Sequence, residues 1–370
     1  GQEYIPWYAW YPGHERAFKT ASLVPQPDNA RNYYETQVQK FNSITFSKAS
    51  DNANLRFNYS NVDVKGLVPT TWLKRNQFTT SSSVDLNSHL TAGIDLNYIS
   101  QKTNGDFNDG YANQSSGSFN QWFHRDLDMG IVKELKDLKT PSGAQASWDH
   151  SNPTDYDPAN PYKWLQPYYW ANFYTAYDQV RTYNDVSRLI GSASLTYKVN
   201  KDLRIKATYQ IKDVYNVNEL KVSSALTEYK FASQAAYGFT KGGYSSTTQK
   251  YHDEHTVLTA AYQKNIKDFN ISATAGVDIH VNEQHNNSAS TAGGLNTPDL
   301  YTIGNSKDQF TASDFRYKQK DNGIFGSAQI GFRKFLNAEA TLRQDYFSQF
   351  PAANNGIFAK AFAGSFVFSE

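Results

Sequence analysis

Apolar and polar residues alternate with a period of two through much of this chain. From Leu189 one set reads Leu189, Gly191, Ala193, Leu195, Tyr197 and Val199, against Ser192, Ser194, Thr196 and Lys198. After Asn200-Lys201 the pattern restarts with Leu203, Ile205, Ala207, Tyr209 and Ile211 against Arg204, Lys206, Thr208, Gln210 and Lys212. Successive strand side chains point to opposite faces, so this reads as a hairpin with one apolar and one charged face. The same plan recurs in Phe269–Ile279, Leu336–Leu342, Ala92–Tyr98 and Leu55–Tyr59. The pattern predicts about eleven antiparallel strands.

The connections alternate between tight and long. Tight ones fall near Asp51-Asn52, Asn87–His89, Asn200-Lys201, Asn265–Lys267 and Lys334-Phe335. Long polar excursions are expected near 65–74, 101–186, 213–253, 281–320 and 348–356. A soluble sandwich has no reason to put every long loop on one side, whereas an outer-membrane barrel does so. A short helix is expected around Leu127–Leu138, with Asp126 and Asp128 at its start and Lys133, Lys136 and Lys139 toward its end. That charge order suits the helix dipole.

Composition sharpens this reading. The 370 residues are 39% hydrophobic, below the roughly 45–50% of average globular chains, yet 15% aromatic, with 26 Tyr and 23 Phe. A wall greasy on one side and wet on the other has that balance, with Tyr and Trp at the water–lipid boundaries. Lys+Arg (36) and Asp+Glu (35) nearly cancel, leaving no basic field for nucleic acid. Zero cysteines exclude a disulfide framework and thiolate metal sites. No stretch approaches the roughly 18–20 apolar residues of a membrane helix; a barrel strand needs only about 9–11.

Several segments carry a family resemblance. Asn54–Pro69 looks like a strand running into a Lys-Gly-hydrophobic-hydrophobic-Pro turn (Lys65, Gly66, Leu67, Val68, Pro69), and Lys74–Phe78 like the start of the next strand. Asp157–Tyr162 is similar to an "NP…NPY" loop, Asn322–Gly326 with Leu336–Asp345 to a strand pair, and Ser365–Glu370 to an "SWVFSE" strand end. In shared order, over most of residues 41–370, they resemble the SusC/RagA-like TonB-dependent transporters. The resemblance implies an all-β fold, an antiparallel transmembrane β-barrel segment of about eleven strands from a larger, 22-stranded barrel. Residues 1–40 would form an extracellular loop region preceding a barrel strand. Residues 41–370 would be partial barrel with outer loops near 101–186, 213–253 and 281–320, the plug and closing strands lying elsewhere. It implies a multi-pass protein of a Gram-negative outer membrane importing a glycan or oligosaccharide, or a peptide, with a SusD-like surface lipoprotein and the TonB-ExbB-ExbD complex. A passive porin-like or adhesin barrel, or a soluble secreted carbohydrate-binding β-protein, are the alternatives.

Candidate contact residues follow from chemistry. Trp164, Tyr168, Tyr169, Trp170 and Tyr174 crowd one expected outer loop, and Trp7 and Trp10 another segment. Flat rings stack on sugar faces, though they also pack loops together. Arg204, Lys206, Glu339 and Arg343 are expected to line a wet lumen, since Lys or Arg on the lipid face costs about 2–4 kcal/mol at midplane. Asn104–Gly110 has oxygen-bearing side chains before a glycine but lacks the closing Glu of a calcium loop. His252 and His255, three apart, would face opposite ways on a strand. No elbow serine, phosphate loop or nucleophilic cysteine stands out. No enzyme activity, cofactor or metal is expected.

Overall fold

The computed structural model describes residues 1–105, 124–168, 172–225, 242–333 and 335–368. Two short strands, β1 (Glu3–Tyr4) and β2 (Ala21–Ser22), pair near the start. Then come β3 (Val38–Ser50), β4 (Ala53–Lys65), β5 (Trp72–Asp85), β6 (Leu90–Asn104), β7 (Val180–Lys198) and β8 (Leu203–Val222). β9 (Gly243–Ile266), β10 (Phe269–Leu295), β11 (Ser306–Phe332), β12 (Leu336–Phe347) and β13 (Gly356–Phe366) complete the set. β3 to β13 form one eleven-stranded sheet in strictly sequential order, every pair antiparallel.

Tight turns at 51–52, 86–89, 199–202, 267–268 and 333–335 occupy one edge of the sheet. Connectors 66–71, 105–179, 223–242, 296–305 and 348–355 occupy the other. Local chemistry fixes two of the tight turns in the same way. Asn87 Oδ1 accepts from the His89 and Leu90 amides, and Asn200 Oδ1 from the Asp202 and Leu203 amides. Such Asx turns let a side chain imitate a backbone turn.

The expected excursions at 213–253 and 281–320 are shorter than the polarity suggested. β8 and β9 consume 213–222 and 243–253, and β10 and β11 consume 281–295 and 306–320. In β10 residues 282–290 are almost all polar, and in upper β8 and β11 the apolar residues fall out of strict alternation, so the period-two signal fades while the ladder continues. The helix expected over 127–138 is α2, confined to Met129–Glu134, with Asp128 as N-cap accepting from the Gly130 and Ile131 amides. Two more helices, α1 (Asn29–Tyr33) and α3 (Phe173–Gln179), lie in the loop regions.

The register carries a systematic stagger. Ala53, beside the first turn, lies on a continuous row through Val84, Ala92, Leu195, Ala207, Leu258, Val277, Ile324 and Gln344. Gln344 is eight residues beyond the first residue of β12, Leu336, eight strands away. One residue of slip per strand, at about 3.4 Å rise and 4.8 Å spacing, tilts the strands by about 35° to the turn plane's normal. Membrane barrels tilt their strands by similar amounts.

Little of the apolar material on the sheet is covered. Leu195, Leu258, Val277, Ile279, Ile324, Leu336 and Leu342 share one face and remain exposed, Leu258 at 45% and Ile324 at 60%. Among the described residues no element packs extensively against that face. Buried hydrophobic side chains instead concentrate in the connector region at the long-loop edge, in two clusters around Tyr33, Met129 and Phe173 and around Tyr11, Trp164 and Leu165. Among the described residues no helix is long and apolar enough to cross a membrane, which says nothing of strands.

Candidate functional site

The long-loop edge carries a small packed unit built from residues 1–36, 124–168 and 172–179. A single 3-10 turn over Trp7–Trp10 sets four consecutive residues around a tight bend, and Tyr11 anchors its end. The Tyr11 hydroxyl, fully buried, donates to Leu165 O at 2.6 Å and accepts from the Ser147 amide at 3.1 Å. Burial pushes its pKa up, so it stays a neutral phenol. His150 is wedged against the Tyr11 and Trp164 rings, its nitrogens 2.7 Å from Ser151 O and 3.2 Å from Trp7 O. Burial holds its pKa below the usual histidine value. Asn172 donates to Val132 O at 2.7 Å, and Lys136 pairs with Asp178, tying α2 to α3 and thence to β7. Glu35 and Lys65, 2.7 Å apart, join the unit to the top of β4.

Between the first segment and residues 124–150 lies a cleft of about 540 Å³, within the range of ligand sites. Tyr4, Trp7, Tyr8 and Trp10 line it from the first segment, and Asp126, Asp128, Trp148 and the histidines His124 and His150 line it from the second. Burial and the Asp126 carboxylate hold the Tyr4 phenol protonated, with its pKa pushed up to about 12, and it donates to Asp126.

The polar face of the sheet holds a second constellation. His255 and His280 are cross-strand partners with rings 5.6 Å apart. His255 Nε2 meets Asp278 Oδ1 at 2.7 Å, and His280 Nε2 meets Asp253 Oδ2 at 2.9 Å. Arg343 bridges Asp278 at 3.2 Å and Asp345 at 2.7 Å, and its guanidinium lies 5.7 Å from the Phe325 ring. Phe325 in turn covers its registered partner Gly276, where an added Cβ would sit 2.7 Å from the Leu258 carbonyl oxygen. Close packing across a glycine of this kind pins register. His252 lies on the opposite face, 2.5 Å from Asp213, so the two histidines three apart do face opposite ways. Among the described residues no cluster is arranged to hold a metal ion.

The sequence-predicted contact residues separate into groups. Trp164 and Tyr174 are each only 7% exposed and pack within the two buried clusters. Trp7 and Trp10 are half-buried and line the cleft, while Tyr168 is half-buried elsewhere in the unit. Tyr169 and Trp170 lie outside the described residues, as do Asp106–Gly110 of the calcium-like stretch. The register puts Arg204, Lys206, Glu339 and Arg343 on the same, polar face as Asp278. The aromatic density that points to Trp7 and Trp10 extends to Tyr8, but sequence reasoning missed Tyr4, the place of Asp126 in the cleft, and the His255–Asp278 and His280–Asp253 pairs. The latter depend on pairing between strands, which spacing within one strand does not encode.

No protein-family model matches the sequence, and no curated protein matches it. Solved structures do match in fold. A chain of the RagAB peptide importer in its "open-open" state superposes with a TM-score of 0.67 at 16% identity, over 91% of this chain and 35% of that one. A structure of the RagAB peptide transporter gives 0.67 at 15% identity, over 95% and 37%. The importer's "closed-closed" state gives 0.66 at 15%, over 93% and 36%. At such identities the likeness is one of fold. The chain spans little more than a third of the length of those chains.

Proposed function

We propose that this chain is a section of the wall of a SusC/RagA-like TonB-dependent importer in the outer membrane of a Gram-negative bacterium. The observation that carries the reading is the uncovered apolar face of a single-layer, eleven-stranded sheet. A soluble protein rarely leaves so wide an apolar surface in water; lipid is the solvent that suits it. The one-residue stagger and the gathering of long connectors on one edge agree with this. The fold likeness to RagAB, described as a peptide importer, supports it too. β3 and β13 run in the same direction, so each edge offers its free ladder to a further antiparallel neighbour rather than to the other.

In this reading cargo, an oligosaccharide or a peptide, is caught at the long-loop edge with a SusD-like lipoprotein. It then passes along the polar face, past Arg204, Lys206, Glu339 and Arg343, when TonB-ExbB-ExbD displaces a plug from the lumen. The wall supplies a wet path and no chemistry on the cargo. Deleting the full-length gene should abolish growth on one class of oligosaccharide or peptide, and deleting TonB should reproduce the defect. Growth and uptake that persist without TonB would instead indicate a passive channel.

A further inference from the structure

The cleft between the first segment and residues 124–150 has a composition that neither a sugar platform nor a loop contact requires. The first segment presents Tyr4, Trp7, Tyr8 and Trp10, all half-buried and so with ring surface available. Asp126 and Asp128 line the cleft as well, and no Lys or Arg does so among the described residues. Asp128 spends one oxygen, Oδ1, on the Gly130 and Ile131 amides. Asp126 accepts from the Tyr4 hydroxyl, which uses one of its acceptor positions. The nearby cation Arg16 is engaged elsewhere, by Glu134 at 3.2 Å.

Two half-buried carboxylates stand among aromatic rings with no Lys or Arg among the described lining residues. Besides the tyrosines, the other titratable side chains there are His124 and His150, and burial disfavours a charge on His150. A neutral saccharide could donate hydroxyls to the carboxylates but would bring no opposite charge to them. A cation would meet both at once: the carboxylates by charge-assisted hydrogen bonds, and the tryptophan and tyrosine faces by cation–π attraction within about 6 Å. We propose that this cleft binds a lysine or arginine side chain of a peptide, and so selects basic peptides at the outer edge of the wall. The proposal deepens the import reading and rests on it for the cargo's later fate.

Binding is measured on the purified full-length protein in detergent, with N-acetylated tri-lysine and tri-arginine as probes, tri-glutamate as the charge control and maltotriose as the neutral sugar. The basic peptides should bind, weaken as salt is raised, and lose about tenfold in affinity in Asp126→Asn while Asp126→Glu retains most of it. Tyr8→Ala should weaken them further without shifting the melting temperature. Maltotriose binding tighter than either basic peptide, or unchanged basic-peptide affinity in Asp126→Asn, would overturn the assignment. Detergent binding needs no energy source. TonB-dependent growth in the absence of cleft binding therefore condemns this site alone, whereas cleft binding without TonB-dependent uptake condemns the import reading alone.

Discussion

His150 shows how a single side chain in the connector unit answers to pH. Its ring is packed against Tyr11 and Trp164, and burial lowers its pKa. The unfolded chain, with an ordinary histidine near about 6.5, therefore binds the proton more readily than the folded one. Stability from this residue is fully present above that value and is lost as pH falls below it. Denaturant midpoints followed by tryptophan fluorescence should fall between pH 8 and pH 5.5 in the wild type, and less so in His150→Gln; equal slopes in both would exclude this residue as the cause. The crowding of Trp164 and Tyr174 was visible in the sequence as aromatic density. Their burial was not, because it depends on Tyr11 and Tyr33 arriving from more than a hundred residues away.

At the level of strands, the two faces should tolerate change unequally. Val277 belongs to the uncovered apolar face and Thr274 to the opposite one. Val277→Lys should destabilise by about 2–4 kcal/mol when unfolding is followed in lipid vesicles. Thr274→Lys should cost no more than about 0.5 kcal/mol. Equal penalties would mean that both faces see the same solvent. The strands most legible in sequence, Leu189–Val199 and Leu203–Ile211, are those whose alternation separates lipid-like from wet surroundings. β9 to β11 run on for 24 to 27 residues, and their upper parts were read as loops. There the alternation fades, and only the backbone ladder records that the strand persists.

For the whole molecule, the arrangement of connectors makes a directional statement. The chain contains no cysteine, so single replacements report position cleanly. In intact cells making the full-length protein, Asn160→Cys in the 105–179 connector should react with an impermeant maleimide, while Lys201→Cys and Asp268→Cys in the tight turns should react only after the outer membrane is opened. Labelling of both sets from outside would contradict the orientation. Strand number and the one-sided loops could be read from alternation and turn residues. The stagger could not, since register is a relation between strands that no single segment states. The slant that follows from it also sets a height. At about 35° each residue climbs about 2.7 Å along the barrel axis, and β10 continues for fourteen residues from Val281, where its apolar series ends, to Leu295. On the import reading proposed above, that upper stretch of β10 projects outward beyond the apolar band, its regular ladder reaching Ser290 about 25 Å past Val281.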